Sequence, residues 1–381
     1  MPDYTRFSPF FASIKARHPL SREGSQKSTH HLVLDLSSSG IIYQAGDTLG
    51  ILPQNGSELV EKSLLAMHAR GDELILDRQG EKRWPLREFL RAHANIKDVT
   101  RKLVQMVCQR HQNETKKHFL TQLLEDSNKH FLKEYLEKYQ LWDFLVEHAE
   151  ALVTAEELCP LLLPLLPRFY SIASSQAVVG NEVHLTVAIL KYTSNDLERQ
   201  GVCTHYLCYD APLNTPMVPV YIQPTHSFSL PEDDSRPVIM VGPGTGIAPF
   251  RAFMQERIAR RAPGKNWLFF GEWNRRYDFF YEQFWLDLVQ QEKLQLDLAF
   301  SRDQEHKVYV QHCMLEKGAE LFQWIEEGAF FYVCGDAEYM AKDVEAALLA
   351  IIQLHGKKGE LEAKAYLKQL RKEGRYLKDV Y

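Results

Sequence analysis

The sequence has no long apolar run and no recognisable leader segment. Its longest apolar stretch, Leu158 to Pro167, is well short of the roughly 18 residues that a membrane-spanning helix requires, and three prolines interrupt it. Residues Met1 to Arg6 contain no basic segment followed by an apolar one, which is the pattern of a secretory signal. We therefore predict no membrane span and a cytoplasmic location.

Cysteines are few and positive charge is not in excess. The six cysteines have no paired spacings, which favours reduced thiols over a disulfide framework. Cys203 and Cys208 lie closest together, but no second pair completes a tetrahedral site, so no metal is predicted. The formal net charge is -5 at pH 7, and without a basic surface neither nucleic acid nor an anionic membrane is an expected partner.

What the sequence does have is enough apolar residues for more than one hydrophobic core. Its 381 residues exceed the roughly 250 to 300 at which a single core stops growing, so at least two domains are expected. Hydrophobic residues make up 45% and charged residues 25%, which is typical of globular proteins and not of disordered or fibrous ones. No internal repeat or low-complexity tract is present.

Strand patterns lie on both sides of a helical block. Residues His31 to Leu36 alternate in polarity, Ile41 to Tyr43 also read as a strand, and strand signals return at Val183 to Leu190 and Met217 to Gln223. Between them, in residues 57–159, apolar side chains recur every three or four positions, which is typical of helices. The pattern predicts an antiparallel β-barrel with a helical insertion.

From Pro237 onward strands and helices alternate, which predicts a doubly wound parallel sheet. The fold class is therefore α/β combined with all-β. The predicted domains are a discontinuous barrel (1–56 and 160–232), a helical insertion (57–159) and a nucleotide-binding domain (233–381).

A glycine-rich segment, Val241 to Pro249, lies between a predicted strand and a predicted helix. Glycines allow close approach of a ligand to the backbone, and a helix N-terminus offers free N–H groups to phosphate. The spacing departs from the usual dinucleotide fingerprint, Pro243 lacks an N–H, and Glu272 is an uncertain ribose-binding acid. The segment favours nucleotide binding through Gly244 and Thr245, and a tight strand-to-helix turn is the alternative.

A basic cluster follows a later predicted strand. An arginine fork with a nearby lysine suits a phosphate monoester, which an acidic residue would repel, so the cluster favours NADP over NAD. A solvated basic loop is the alternative interpretation. The candidate residues are Ser301, Arg302, Lys307, Val308, Tyr309, Val310 and Gln311.

Several motifs occur in a characteristic order between about Thr29 and the last residue. They are Arg168–Ser175, Gly201–Thr204, Val241–Pro249, Ser301–Gln304, Lys307–Gln311, Tyr332–Asp336 and Asp379–Tyr381. In this order they resemble the reductase half of diflavin reductases, most closely the flavoprotein subunits of bacterial NADPH-sulfite reductases and, a step further, microsomal NADPH-cytochrome reductases. The resemblance implies a ferredoxin-NADP reductase-like fold, with FAD in the barrel and NADPH in the C-terminal domain.

The resemblance also implies roles for individual residues. Arg168 would pair with the FAD pyrophosphate, Tyr170 would stack on the isoalloxazine, and Ser171 would face flavin N5. Backbone N–H groups and a hydroxyl from Gly201, Val202, Cys203 and Thr204 would bind the pyrophosphate. The other residues implied to line the cofactors are Phe169, Thr186, Val187, Ala188, Tyr192 and Asp343. A plain core role for Val187 and a capping role for Tyr192 stay open.

Cys334 follows a buried-strand pattern and by itself reads as a small inert core residue. The resemblance places it beside the nicotinamide, in a polar cluster with Ser171 and Asp379. The cluster would orient the ring and balance charge during hydride transfer to the flavin, whereas the hydride chemistry belongs to the cofactors. Tyr381 would cover the flavin and step aside for nicotinamide.

Two departures from the family pattern affect the functional expectation. Ala45 stands where the family usually has proline before Gly46 and Asp47, which should loosen one turn.

The family carries an FMN-binding domain ahead of this module, whereas here the first barrel strand lies close to Met1. We therefore expect single electrons to pass to a separate flavodoxin, ferredoxin, or haem or iron–sulfur component of a sulfite reductase. The alternatives are a self-contained diaphorase or quinone reductase, and a flavin-bound assembly subunit without turnover.

Overall fold

The computed structural model describes residues 4–76, 80, 82–225 and 227–381. The absence of a leader predicted for Met1 to Arg6 thus falls partly on residues 1–3, outside the described residues. The strands are β1 (Phe10–Pro19), β2 (Thr29–Asp35), β3 (Thr48–Ile51), β4 (Leu74–Leu76), β5 (Arg83–Pro85), β6 (Arg168–Ser171), β7 (Glu182–Ala188), β8 (Lys191–Ser194), β9 (Leu197–Gln200), β10 (Pro216–Gln223), β11 (Val238–Val241), β12 (Asn266–Glu272), β13 (Gln295–Phe300), β14 (Phe330–Gly335) and β15 (Tyr376–Val380).

Helices occur between most of these strands. They are α1 (Ser57–Ala66), α2 (Leu86–Ala92), α3 (Arg101–Arg110), α4 (Glu114–Leu123), α5 (Lys129–Lys138), α6 (Leu141–Glu147), α7 (Ala155–Leu158), α8 (Gln176–Val179), α9 (Val202–His205), α10 (Ala248–Ala259), α11 (Arg275–Asp278), α12 (Glu282–Gln290), α13 (Val310–Glu316), α14 (Gly318–Glu326), α15 (Met340–His355) and α16 (Glu360–Lys372). Within the described residues no helix is both long and apolar enough to cross a membrane.

The chain divides into two compact units. Unit 1 comprises Met1–Gly50, Phe169–Ala188 and Leu213–Tyr381, and unit 2 comprises Ile51–Arg168 and Ile189–Pro212. The two sheets described next lie in unit 1 apart from terminal strand residues, and the helices α1 to α7 lie in unit 2. The three domain boundaries given above stay a prediction.

The first sheet has six strands in the order β6-β3-β10-β1-β2-β7. Strand β1 pairs antiparallel with β10 and β2, and β2 pairs antiparallel with β7. Successive side chains of a strand face opposite sides. In β7 the apolar residues Val183, Leu185 and Val187 alternate with polar ones and are fully buried. This sheet is the antiparallel part of the predicted fold.

The segment from Ile41 to Tyr43 forms no strand, so that prediction is wrong. Ile41 N donates to Ser39 Oγ at 2.9 Å, and Tyr43 N donates to Gln176 Oε1 at 2.9 Å. Gln176 Nε2 returns a bond to Ile41 O at 3.0 Å. Side chains therefore satisfy this backbone, and the apolar pattern alone cannot distinguish such a segment from a strand.

The second sheet is parallel, with the strand order β13-β12-β11-β14-β15. All residues of β11, Val238–Val241, are fully buried, as expected for a central parallel strand covered on both faces. Helices α13 to α16 contribute to one core and α10 and α12 to the other. Since β12 and β14 flank β11, the strand order reverses at the carboxyl end of β11, where α/β sheets bind ligands. The predicted fold class is confirmed.

Unit 2 has a core of its own, built from apolar faces of α1 to α7. A buried ion pair between Arg199 and Asp143 ties its β8–β9 hairpin to α6. The six cysteines all lie within the described residues, where they form no disulfide and are buried. Among the described residues, no group of three or more histidine, cysteine or acidic side chains is arranged to hold a metal ion.

Candidate active site

The glycine-rich turn after β11 packs tightly against the end of β14. A Cβ at Gly246 would lie 2.1 Å from Cys334 O, and one at Gly242 would lie 2.5 Å from Gly246 O. Gly244 has a φ of +59°, which favours glycine. Residues Gly244–Ile247 form a 3₁₀ turn that leads into α10. The turn therefore presents bare backbone at the ligand-binding edge of the parallel sheet.

Ser171, Cys334 and Asp379 meet at this edge. Cys334 and Asp379 are register partners on the parallel strands β14 and β15, and Ser171 is the last residue of β6. Ser171 Oγ donates to Asp379 Oδ2 at 2.6 Å, and Cys334 Sγ donates to the same oxygen at 3.8 Å. One carboxylate oxygen thus accepts from two donors that are far apart in sequence.

The Cys334 side chain is completely buried. Burial, and secondly the charge of Asp379, raises the pKa of its thiol well above the ordinary value. The residue is therefore a protonated thiol at neutral pH, which excludes a nucleophilic thiolate. It can fill space and act as a weak S–H donor.

Tyr381 ends the chain beside the same edge. Its backbone N donates to Gly335 O and its O accepts from Ala337 N, both at 3.1 Å. Its hydroxyl lies 2.8 Å from Thr245 Oγ1, which connects the terminal residue to the glycine-rich turn. The residue is nevertheless 62% exposed. Few bonds hold it to the rest of the chain.

The predicted phosphate-binding residues surround the end of β13. Arg302, Lys307 and Tyr309 are exposed, whereas Ser301 is buried and its N donates to Glu272 O at 2.9 Å. Val308 is partly buried and Val310 is buried. Gln311 Nε2 donates to Asp343 Oδ2 at 3.2 Å, so these two predicted residues are in contact.

Sequence analysis missed three residues at this site, namely Lys27, Gln26 and Trp273. Lys27 Nζ bonds both carboxylate oxygens of Glu272 at 2.9 Å, so the uncertain ribose acid is already paired. Burial raises the pKa of Glu272, and Lys27 opposes that shift. Arg302 Nη1 donates to Gln26 Oε1 at 2.7 Å, and its guanidinium stacks on Trp273. Lys27 and Gln26 precede the first predicted strand, and no local motif marks them.

The predicted FAD residues belong to both compact units and are described unit by unit. In unit 1, Phe169 is 52% exposed and makes an edge-to-face contact with Tyr221. Tyr170 precedes Ser171 and is partly buried. Val187 is fully buried in the sheet core, and Ala188 is exposed at the end of β7.

Thr186 is buried, and its hydroxyl lies 2.7 Å from the Tyr281 hydroxyl. That hydroxyl also lies 2.9 Å from His31 Nδ1. Burial, and secondly Arg251, lowers the pKa of His31 to about 2. This buried polar cluster connects β2 and β7 of the first sheet to Tyr281, the residue before α12, and its histidine is neutral at any ordinary pH.

In unit 2, Gly201 opens α9. A Cβ at Gly201 would lie 2.9 Å from both Leu190 Cβ and Thr204 Oγ1. Thr204 Oγ1 donates to Gly201 O at 3.1 Å, while Cys203 is buried and Val202 partly buried. The turn is thus a tight loop-to-helix junction that only glycine fits. Tyr192 lies on β8, and Lys97 Nζ lies 5.2 Å from the centroid of its ring.

Arg168, also in unit 2, is exposed, and its Nη1 donates to Leu166 O at 2.9 Å. An exposed guanidinium and a helix-opening glycine turn are the donor types that suit a pyrophosphate. At the parallel sheet, the glycine turn and the Arg302–Lys307 cluster are the types that suit a phosphorylated dinucleotide. The residues present therefore fit FAD and NADPH.

Comparison with known families matches both halves of the chain. The family model described as an FAD binding domain matches residues 3–206, and the model described as an oxidoreductase NAD-binding domain matches residues 240–346.

Curated relatives extend the match over almost the whole chain. The chain is 42% identical over 380 residues, 99% of its length, to the sulfite reductase [NADPH] flavoprotein alpha-component of Bacillus subtilis. It is 43% identical over 379 residues to the component of the same name from Escherichia coli. The chain spans 62% of the length of each of these relatives.

Proposed function

On the premise that this chain belongs to the FAD binding domain family and carries an oxidoreductase NAD-binding domain, we propose that it is an NADPH-dependent flavoprotein reductase. It takes reducing equivalents from NADPH and passes electrons singly to a separate acceptor. The observation that carries the proposal is the hydrogen-bonded cluster of Ser171, Cys334 and Asp379 beside the glycine-rich turn.

When bound, NADPH supplies a hydride and FAD accepts it. The contribution of the chain is positional and electrostatic. Asp379 keeps a negative charge at the edge of the sheet, where it stabilises positive charge that develops on a ring losing hydride. Ser171 orients that carboxylate through its 2.6 Å hydrogen bond. Cys334 remains a neutral thiol, so it fills the space beside Asp379 without adding a second charge.

Selectivity for NADPH follows from the charges around β13. Glu272 would repel a 2'-phosphate, but Lys27 neutralises it. Arg302 and Lys307 are exposed cations with no ion pair among the described residues. The net positive charge suits a phosphate monoester.

The acceptor is proposed from the names of the relatives. They are flavoprotein components of NADPH-sulfite reductases, which implies a partner component that receives their electrons. We propose that this chain likewise reduces a separate one-electron carrier or a haem or iron–sulfur component. A cytoplasmic location is part of the same proposal.

Acceptor assays test this export. Ferricyanide should be reduced readily, because a small one-electron acceptor needs no docking site. A haem cytochrome should be reduced slowly, and the rate should rise when flavodoxin or ferredoxin is added and fall with salt. Full-rate reduction of quinones, with no acceleration by any carrier, would replace this proposal with a self-contained diaphorase.

A further inference from the structure

The Arg302 guanidinium lies flat against an aromatic ring that the proposed function does not use. Its Cζ is 3.3 Å from the centroid of the Trp273 ring. At this distance the cation interacts with the π face of the indole. Gln26 Oε1, from the segment before β2, accepts from Arg302 Nη1 at 2.7 Å. An exposed arginine is thus fixed by two neighbours.

The backbone sets this stacking. Strands β12 and β13 are parallel, with Glu272 opposite Phe300 as the last pair. Beyond the strands, Ser301 N donates to Glu272 O at 2.9 Å and Arg302 N donates to Trp273 O at 2.8 Å. The two side chains therefore project from adjacent, hydrogen-bonded backbone.

The charges leave Arg302 available to an anion. Lys27 Nζ also approaches the Trp273 ring, at 4.3 Å from the centroid, but Glu272 pairs with this ammonium. Within the described parts of the chain, Arg302 has no carboxylate partner, and Gln26 is the acceptor of its one side-chain hydrogen bond. Its other N–H donors are free to bind phosphate oxygens.

We propose that Trp273 is a positioning residue that holds Arg302 ready for the 2'-phosphate of NADPH. The inference rests on the proposed function, because it assigns a selectivity role within the same site. Without the indole, the arginine side chain would sample many rotamers, and ordering it would weaken binding. Trp273 thus contributes to selectivity without contacting the phosphate itself.

The test measures binding of two nucleotides that differ in the 2'-phosphate, 2',5'-ADP and 5'-AMP, by calorimetry on the full FAD-loaded chain. Trp273→Leu should weaken 2',5'-ADP binding by about 5- to 30-fold and leave 5'-AMP binding unchanged. Trp273→Phe, which keeps a smaller ring, should lose less. In an Arg302→Ala background, Trp273→Leu should cause no further loss, because its effect acts through Arg302.

Trp142→Leu is the matched control. Trp142 is also partly buried and carries cations on its ring, with Lys62 at 5.1 Å and Arg199 at 5.7 Å. It should leave the affinity for 2',5'-ADP unchanged, and a loss as large as that of Trp273→Leu would overturn the inference. Three other outcomes would also overturn it. Trp273→Leu could leave the affinity for 2',5'-ADP unchanged, or it could weaken the binding of 5'-AMP as much as that of 2',5'-ADP. In the Arg302→Ala background, it could weaken 2',5'-ADP binding as much as it does when Arg302 is present. Absence of 2',5'-ADP binding by the unmodified protein would instead overturn the NADPH assignment, and this inference with it.

Discussion

Replacing Asp379 with asparagine separates the charge of the active-site cluster from its shape. Asparagine keeps the size of the side chain, and its amide oxygen can still accept from Ser171, now 2.6 Å from the carboxylate. What disappears is the negative charge that faces the reacting rings in the proposed function. Removal of one preorganised electrostatic group from an active site costs about 2.7 to 4 kcal/mol, so we expect flavin reduction to slow by about 100- to 1,000-fold.

Stopped-flow mixing of Asp379→Asn with NADPH under anaerobic conditions measures this rate, and NADP⁺ titration measures binding separately. We expect the rate constant to fall and the affinity to change little, because the charge acts in the transition state. Ser171→Ala should cost less than Asp379→Asn, and the double variant should cost less than the sum, because the two residues share one hydrogen bond. Weakened nucleotide binding with an intact reduction rate would show that Asp379 acts in binding and not in hydride transfer.

The same variant tests the assignment of Cys334 as a neutral thiol. The Asp379 charge raises the pKa of this thiol, so its removal lowers the pKa, but burial is the larger cause and persists. Cys334 should therefore stay unreactive toward thiol reagents in Asp379→Asn at mildly alkaline pH. Rapid modification of the native fold would show that burial is not the dominant cause.

Three further predictions concern selectivity and stability. Arg302→Ala should weaken the use of NADPH by about 10- to 100-fold and leave NADH nearly unchanged, since NADH lacks the 2'-phosphate; equal losses in kcat/KM would contradict this. Deleting Tyr381 should raise the NADH-to-NADPH ratio of kcat/KM, because displacement of the ring costs more for a nucleotide without phosphate contacts; an unchanged ratio would show that the ring does not cover the flavin. His31 has a pKa of about 2 in the folded protein, against an ordinary 6.5. Its contribution to the free energy of unfolding is therefore fully present above pH 6.5 and is lost as the pH falls. At about pH 5 this lost stabilisation amounts to about 2 kcal/mol. Urea unfolding should therefore show that the free energy of unfolding falls by about 2 kcal/mol less in His31→Gln than in the unmodified protein when the pH is lowered to about 5. The same pH dependence in both proteins would contradict this prediction.

Much of the fold follows from local patterns. The alternation at Val183 to Leu190 identifies a strand, and β7 lies within two residues of those limits. Its polar residues His184 and Thr186 are nevertheless buried, so the alternation does not mark a solvent-exposed face. Ile41 to Tyr43 fails because hydrogen bonds from Gln176, distant in sequence, replace a strand partner there. The periodicity of apolar residues indicates which positions are buried, but not which groups form hydrogen bonds with the backbone.

The candidate site, like the fold, can be predicted from the sequence only in part. Family resemblance alone groups Ser171, Cys334 and Asp379, because no spacing rule connects residues this far apart. The structure places them within bonding distance, and their roles stay a prediction. No sequence motif marks Gln26 or Trp273. The contact of Gln26 with Arg302 depends on a loop that precedes β2 of the first sheet, and the contact of Trp273 depends on the pairing of β12 with β13.

The most direct test of the account is an anaerobic titration of the purified protein with NADPH, followed by release of its flavin with heat. We predict that one equivalent of NADPH bleaches one equivalent of bound flavin, that NADH does so far less efficiently, and that the released flavin is FAD. A flavin that stays oxidised in excess NADPH, or a protein that releases only FMN, would contradict the account.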